Sequence, residues 1–203
     1  MVPVGKLLLY EGEVLDTIGG YPTLYHYLPA ASEAGEGTNP LIVCVPGAVH
    51  SARVFYGGHQ GCRQSDFLAY WLSKLGFGVL SLSYPIETTP SLMSLTAANF
   101  RIRDWGQQAA ETIKKVMHNE SLQTSSVVLI SWSMGGRMVV PFTIAAKELG
   151  LDVKQFISFA ATPGISSIRS NHAVRTCSAA GYFNIQSRLE NFCDQLHTMG
   201  ILN

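Results

Sequence analysis

Apolar residues in this chain gather in short unbroken runs, separated by longer stretches in which they recur every three or four positions. Leu41-Ile42-Val43-Cys44-Val45 and Val127-Val128-Leu129-Ile130 are the clearest runs. Neither alternates with polar residues, which predicts strands covered on both faces, as parallel strands are. Residues 78–84, closed by Pro85, and residues 153–160 predict two more strands. Residues 7–10 and 23–28 read as short strands on either side of the turn signal Gly19-Gly20-Tyr21-Pro22. Helical spacing places Phe67, Leu68, Trp71, Leu72 and Leu75 on one face of residues 66–75, with Ser65 as N-cap and Gly76 as stop. A longer helix over 99–118 gathers Ile102, Trp105, Ala109, Ile113, Val116 and Met117 on one side. The stretch 135–149 predicts a third helix, with a kink where Pro141 removes a backbone donor.

Strands and helices alternating at this length predict an α/β fold, a mainly parallel sheet flanked by helices in a single domain. Residues 30–40 read as a surface loop. After Gly164 the pattern fades. Ile185, Leu189, Phe192, Cys193, Leu196 and Met199 keep helical spacing, but no further buried strand is predicted.

Composition narrows the classes. Apolar residues make up 47% of the 203 positions and charged residues only 14%. So little charge predicts buried strands, a lipophilic pocket or a covered face. The formal net charge is +0, which gives no basis for binding nucleic acid or an anionic membrane surface. No apolar run has the length of a membrane span, and Leu7-Leu8-Leu9 is too short for a signal-peptide core, so the expectation is a cytoplasmic protein. Cys44, Cys62, Cys177 and Cys193 lack the paired spacing of a zinc or redox centre, and Cys44 reads as a small buried hydrophobe. No metal or organic cofactor is expected.

The chemistry centres on one junction. The apolar run 127–130 leads through Ser131-Trp132 into Ser133-Met134-Gly135-Gly136 and then into helical sequence. A strand that turns sharply into a helix at a serine lifts the hydroxyl out of the sheet, beside backbone N–H groups free to receive an oxyanion. The same residues also suit an ordinary turn in which Ser133 caps the helix. Upstream, the strand 41–45 ends in Pro46-Gly47-Ala48-Val49-His50. This segment reads either as a plain strand-end loop or as the source of a second N–H donor, from Ala48. His50 would face the mouth of such a site or sit on the surface. Gly57-Gly58-His59-Gln60-Gly61 lacks the order of a phosphate-binding loop. Arg101, Arg103, Lys114 and Lys115 read as the solvated face of their helix.

Together the elbow at Ser133, the Gly47-Ala48 segment and the strand end at Ala161-Thr162-Pro163-Gly164 resemble the α/β-hydrolase fold, over roughly residues 23–165. Pro46 stands where that family often has histidine, and Ser131 where it usually has glycine. The resemblance implies Ser133 as nucleophile and the N–H groups of Ala48 and Met134 as the oxyanion hole, in hydrolysis or acyl transfer on a small, fairly apolar ester or related carbonyl compound. It also implies an acid and then a histidine downstream. Glu148 and Asp152 are predicted at the wrong edge of the sheet. Asp194 and His197 lie three apart on a predicted helix, and no well-placed acid precedes His172.

The expectation is thus an α/β-hydrolase-like domain lacking its last strands, with residues 166–203 as a cap-like or truncated tail. The strand 153–160 would then be an exposed apolar edge that favours self-association. Two other readings stay open. One is a catalytically silent module that binds a small apolar ligand in the same pocket; the other is a lyase or isomerase built on the same fold.

Overall fold

The computed structural model describes residues 9–31, 39–89, 91–93, 99–164 and 177–178. Its centre is a six-stranded sheet. In chain order the strands are β1 (Glu13–Ile18), β2 (Tyr21–Leu28), β3 (Leu41–Val45), β4 (Val79–Leu82), β6 (Ser126–Trp132) and β7 (Asp152–Phe159). Across the sheet they run β1-β2-β4-β3-β6-β7. The β1/β2 and β2/β4 pairs are antiparallel, whereas β4, β3, β6 and β7 are mutually parallel. The fold is the α/β arrangement that the apolar runs predict.

Each central strand feeds two cores, because successive side chains point to opposite faces. Leu41, Val43 and Val45 pack with Trp105, Ala109 and Ile113 of α3 (Ile102–Asn119) and with Phe142 and Ala146 of α4 (Val139–Glu148). Ile42 and Cys44 pack on the other face, with Phe55 and Tyr56 of α1 (Arg53–Tyr56) and Ala69 of α2 (Leu68–Lys74). Every residue of β3 is buried, which explains its unbroken apolar sequence. Burial pushes the Cys44 thiol up to about 12, so it is an inert core residue, as expected.

Several expectations need correction. The first strand is Glu13–Ile18, not 7–10; Leu9 and Tyr10 are outside any strand, and residues 7 and 8 lie outside the described residues. The true strand buries Glu13, a polar residue, so its alternation is hidden. Ser65 falls inside a short 3-10 turn (Gln64–Asp66), and α2 starts after Phe67 with no side-chain cap. Pro141 is the third residue of α4, just after a 3-10 turn over Ser133–Met138 that runs directly into it, so the helical stretch changes type next to the proline. The pattern predicts no further buried strand beyond residue 160; a two-residue strand there, β8 (Cys177–Ser178), pairs in parallel with β5 (Thr88–Thr89). Two residues are too few to show a period. The predicted helix over 185–199 lies outside the described residues.

Candidate active site

Strand β6 ends in extended backbone at Trp132, and Ser133 then adopts φ +50°. A non-glycine residue there costs of order 1–3 kcal/mol, so surrounding contacts must hold it. They come from both sides. The Thr162 N–H, just past β7, donates to the Ser133 carbonyl at 2.7 Å. A Cβ on Gly136 would lie 2.6 Å from the Thr162 carbonyl oxygen, and one on Gly135 would lie 2.9 Å from that of Pro46. The turn is therefore wedged between the ends of β3 and β7, and only glycine fits at either position. Ser131 is fully buried at the base of the wedge, and its Oγ has no hydrogen-bond partner among the described residues.

The end of β3 approaches from the other side. A Cβ on Gly47 would lie 2.7 Å from Ser133 Cβ and 3.3 Å from its Oγ. This segment then bends through Ala48 and Val49, and Val49 also lies in the left-handed region at φ +57°. For a β-branched residue that is a true outlier. Ser133, Met134, Ala48 and His50 are all half-buried, so the serine borders solvent.

His50 is neither deeply buried nor a free surface group. Its Nδ1 lies 2.7 Å from the Ala48 carbonyl oxygen, and its ring meets Trp132 edge-on at 4.6 Å. A carbonyl can only accept, so Nδ1 bears the proton. Burial lowers the pKa of the ring, which favours the neutral form.

The structure thus gathers Ser133, Met134, Gly47 and Ala48 at the carboxyl ends of the parallel strands, where ligands bind in open α/β sheets. A cavity of about 420 Å³, lined by Tyr27, Leu41, Gly78 and Thr124, lies at the opposite end. His172, Asp194 and His197 fall outside the described residues. Among the described residues no imidazole is hydrogen-bonded to Ser133, and no group of His, Cys, Asp or Glu could hold a metal. Sequence reasoning missed Ser83 and Tyr84, which follow β4 and hold the Gly47–Ala52 loop. The Ala52 N–H donates to Ser83 Oγ at 2.7 Å, and the Val49 N–H donates to the Tyr84 hydroxyl at 2.8 Å. Their only sequence signal is the Pro85 that ends the strand early.

No family model and no curated protein matches the chain. Solved structures do. One is an α/β hydrolase superfamily protein from Enterococcus faecalis, 21% identical, with TM-score 0.45 over 73% of this chain and 47% of that one. Another is the epoxide hydrolase CorEH, 15% identical, with TM-score 0.48 over 80% of this chain and 46% of that one. A bacterial heroin esterase matches at 16% identity and TM-score 0.46, over 74% and 45%. The chain is similar to α/β hydrolases. It spans about half the length of these solved structures. Among the described residues no helix is long and apolar enough to cross a membrane.

Proposed function

We propose that this chain holds the nucleophile and oxyanion hole of a serine hydrolase acting on a small, fairly apolar ester. One observation carries the reading: Ser133 is held at φ +50° at a strand-to-helix turn, with the Cα of Gly47 pressed against its side chain. An N-cap serine needs neither feature, since a cap residue normally keeps extended backbone. In this reading Ser133 Oγ attacks the ester carbonyl carbon and the carbonyl π electrons move to oxygen. The N–H groups of Ala48 and Met134 stabilise that oxyanion. As the tetrahedral intermediate collapses, the C–O bond to the alkoxide breaks and the protonated base gives that oxygen the serine's proton, so an alcohol leaves; water, deprotonated by the same base, then releases the acid and the proton returns to Ser133. The base that accepts the serine proton belongs to residues outside those described, with His172 and His197 as its candidates.

Labelling with a fluorophosphonate, with the adduct located by mass spectrometry, tests the reading. Wild type should be modified at Ser133, and Ser133→Ala should not be. Gly47→Ala places a methyl against the serine and should slow labelling by at least about tenfold, the scale of a misplaced reacting group. Folded wild type without adduct would overturn the reading.

A second reading, a binding module without turnover that holds a small apolar ligand in the same pocket, is favoured by the low share of charged residues, 14%. Saturable binding of a p-nitrophenyl ester with no released p-nitrophenol would establish it.

A further inference from the structure

Two strained or close-packed features stand within three residues of each other: Gly47 against Ser133, and Val49 at φ +57°. Something must hold that turn. The Tyr84 hydroxyl, from the loop after β4, accepts the Val49 N–H at 2.8 Å and donates to the Gly47 carbonyl at 3.3 Å. The His50 N–H reaches the same carbonyl at 3.4 Å. The Tyr84 ring is itself braced against Trp105, with centroids 4.7 Å apart, and Trp105 is buried in the core of α3. One residue before Tyr84, Ser83 Oγ accepts the Ala52 N–H at 2.7 Å and pins the far end of the loop to the same strand end.

The consequence follows from peptide geometry. In a trans peptide the carbonyl of one residue and the N–H of the next point in opposite directions. Fixing the Gly47 carbonyl towards Tyr84 therefore turns the Ala48 N–H to the side away from Tyr84. Its bond to the Val49 N–H keeps the next residue in a conformation that valine otherwise avoids. We propose that Tyr84 is a positioning residue: its phenol locks the 47–49 turn so that the Ala48 N–H is held ready as an oxyanion donor. The role rests on the serine-hydrolase reading above and adds a residue that acts through the Gly47–Val49 backbone. It also explains why a buried-side loop and the nucleophile turn are built from opposite strands that flank β3.

The test uses the full chain and a p-nitrophenyl ester, with Ser133 labelling as the companion readout. Tyr84→Phe keeps the ring on Trp105 and removes only the hydroxyl. Losing an oxyanion donor outright costs about 100- to 1,000-fold in kcat, so a misaligned one should cost about 10- to 100-fold. KM should stay within about twofold, because the interaction belongs to the transition state. Val49→Gly should recover part of the lost kcat in the Tyr84→Phe background, since glycine adopts positive φ without strain. A merely structural role would move KM and the melting temperature together and would show no such rescue. Wild type that labels at Ser133, beside Tyr84→Phe with unchanged kcat, would overturn the positioning role alone. Absence of a Ser133 adduct in wild type would overturn the hydrolase reading, and this inference with it.

Discussion

The two margins of the sheet differ in how they meet solvent. On the β1 side a charged group is buried and fully matched. Glu13 accepts two bonds from Arg53, each at 2.6 Å, one from the Tyr56 hydroxyl at 2.6 Å and one from the Tyr10 N–H at 2.7 Å. The Arg53 guanidinium also lies over the Tyr10 ring, 3.7 Å from its centroid, and its side chain is completely buried. On the β7 side apolar groups face outward. Phe156 and Phe159 are 40% and 43% exposed, and Val140 and Ile144, four apart on α4, are 64% and 57% exposed. Among the described residues β7 has only β6 beside it. The candidate site lies between the margins: Gly47 and Tyr84 follow the central strands β3 and β4, and Thr162 follows β7. Both sides hold the site: the Thr162 N–H fixes the Ser133 carbonyl from the β7 side, while Ser83 and Tyr84 fix the Gly47–Ala52 loop from the end of β4.

The largest expected effect breaks the closed side. Glu13→Gln removes the carboxylate charge that meets the buried Arg53 guanidinium at 2.6 Å, and removing one partner of a buried pair costs about 3–5 kcal/mol. Urea unfolding should show that loss. A loss below about 1 kcal/mol would mean that the pair reorganises and does not hold α1 in place. On the open side the same scale of change should do little to stability. Phe156→Lys, on an exposed edge position, should alter it by no more than about 0.5 kcal/mol. Its effect should appear in association instead. We expect wild type to self-associate through β7, and a lysine on that edge to shift light scattering towards the monomer. Wild type that stays monomeric at high concentration would remove this expectation.

The same contrast decides what could be read from sequence. Strands β3 and β6 were legible because burial on both faces leaves only apolar residues, and burial of Leu41 through Val45 bears this out. The turn at Ser133 was legible as small residues after an apolar run, whereas the close approach of Gly47 to Ser133 had no such signal. Strand β1 was not, because its inward position is filled by Glu13, whose partner Arg53 lies 40 residues away. No local pattern can announce such a pair. Tyr84 was hidden for a similar reason. It looked like the last residue of a strand, whereas β4 stops at Leu82 and frees Ser83 and Tyr84 to hold the neighbouring loop. The positive φ of Val49 had no signal at all, since valine is among the residues least suited to it.

The smallest expected effect is a pH dependence from the closed side. His26 stacks on Tyr56, with ring centroids 4.4 Å apart, and its buried Nδ1 has no hydrogen-bond partner among the described residues. Burial lowers its pKa, and the nearby Glu13 charge offsets this only in part. Burial lowers His50 in the same direction. The unfolded chain therefore takes up protons first, near the ordinary histidine value of about 6.5, so stability rises with pH in that window. The contribution is present above about pH 6.5 and is lost as pH falls through the lowered folded-state values. His26→Phe keeps the stack on Tyr56 and removes one titrating group. Urea midpoints for wild type should drop between pH 7.5 and 5.5, and the drop should shrink in His26→Phe. An identical drop in both proteins would show that the acid sensitivity arises elsewhere than beside the Glu13 cluster.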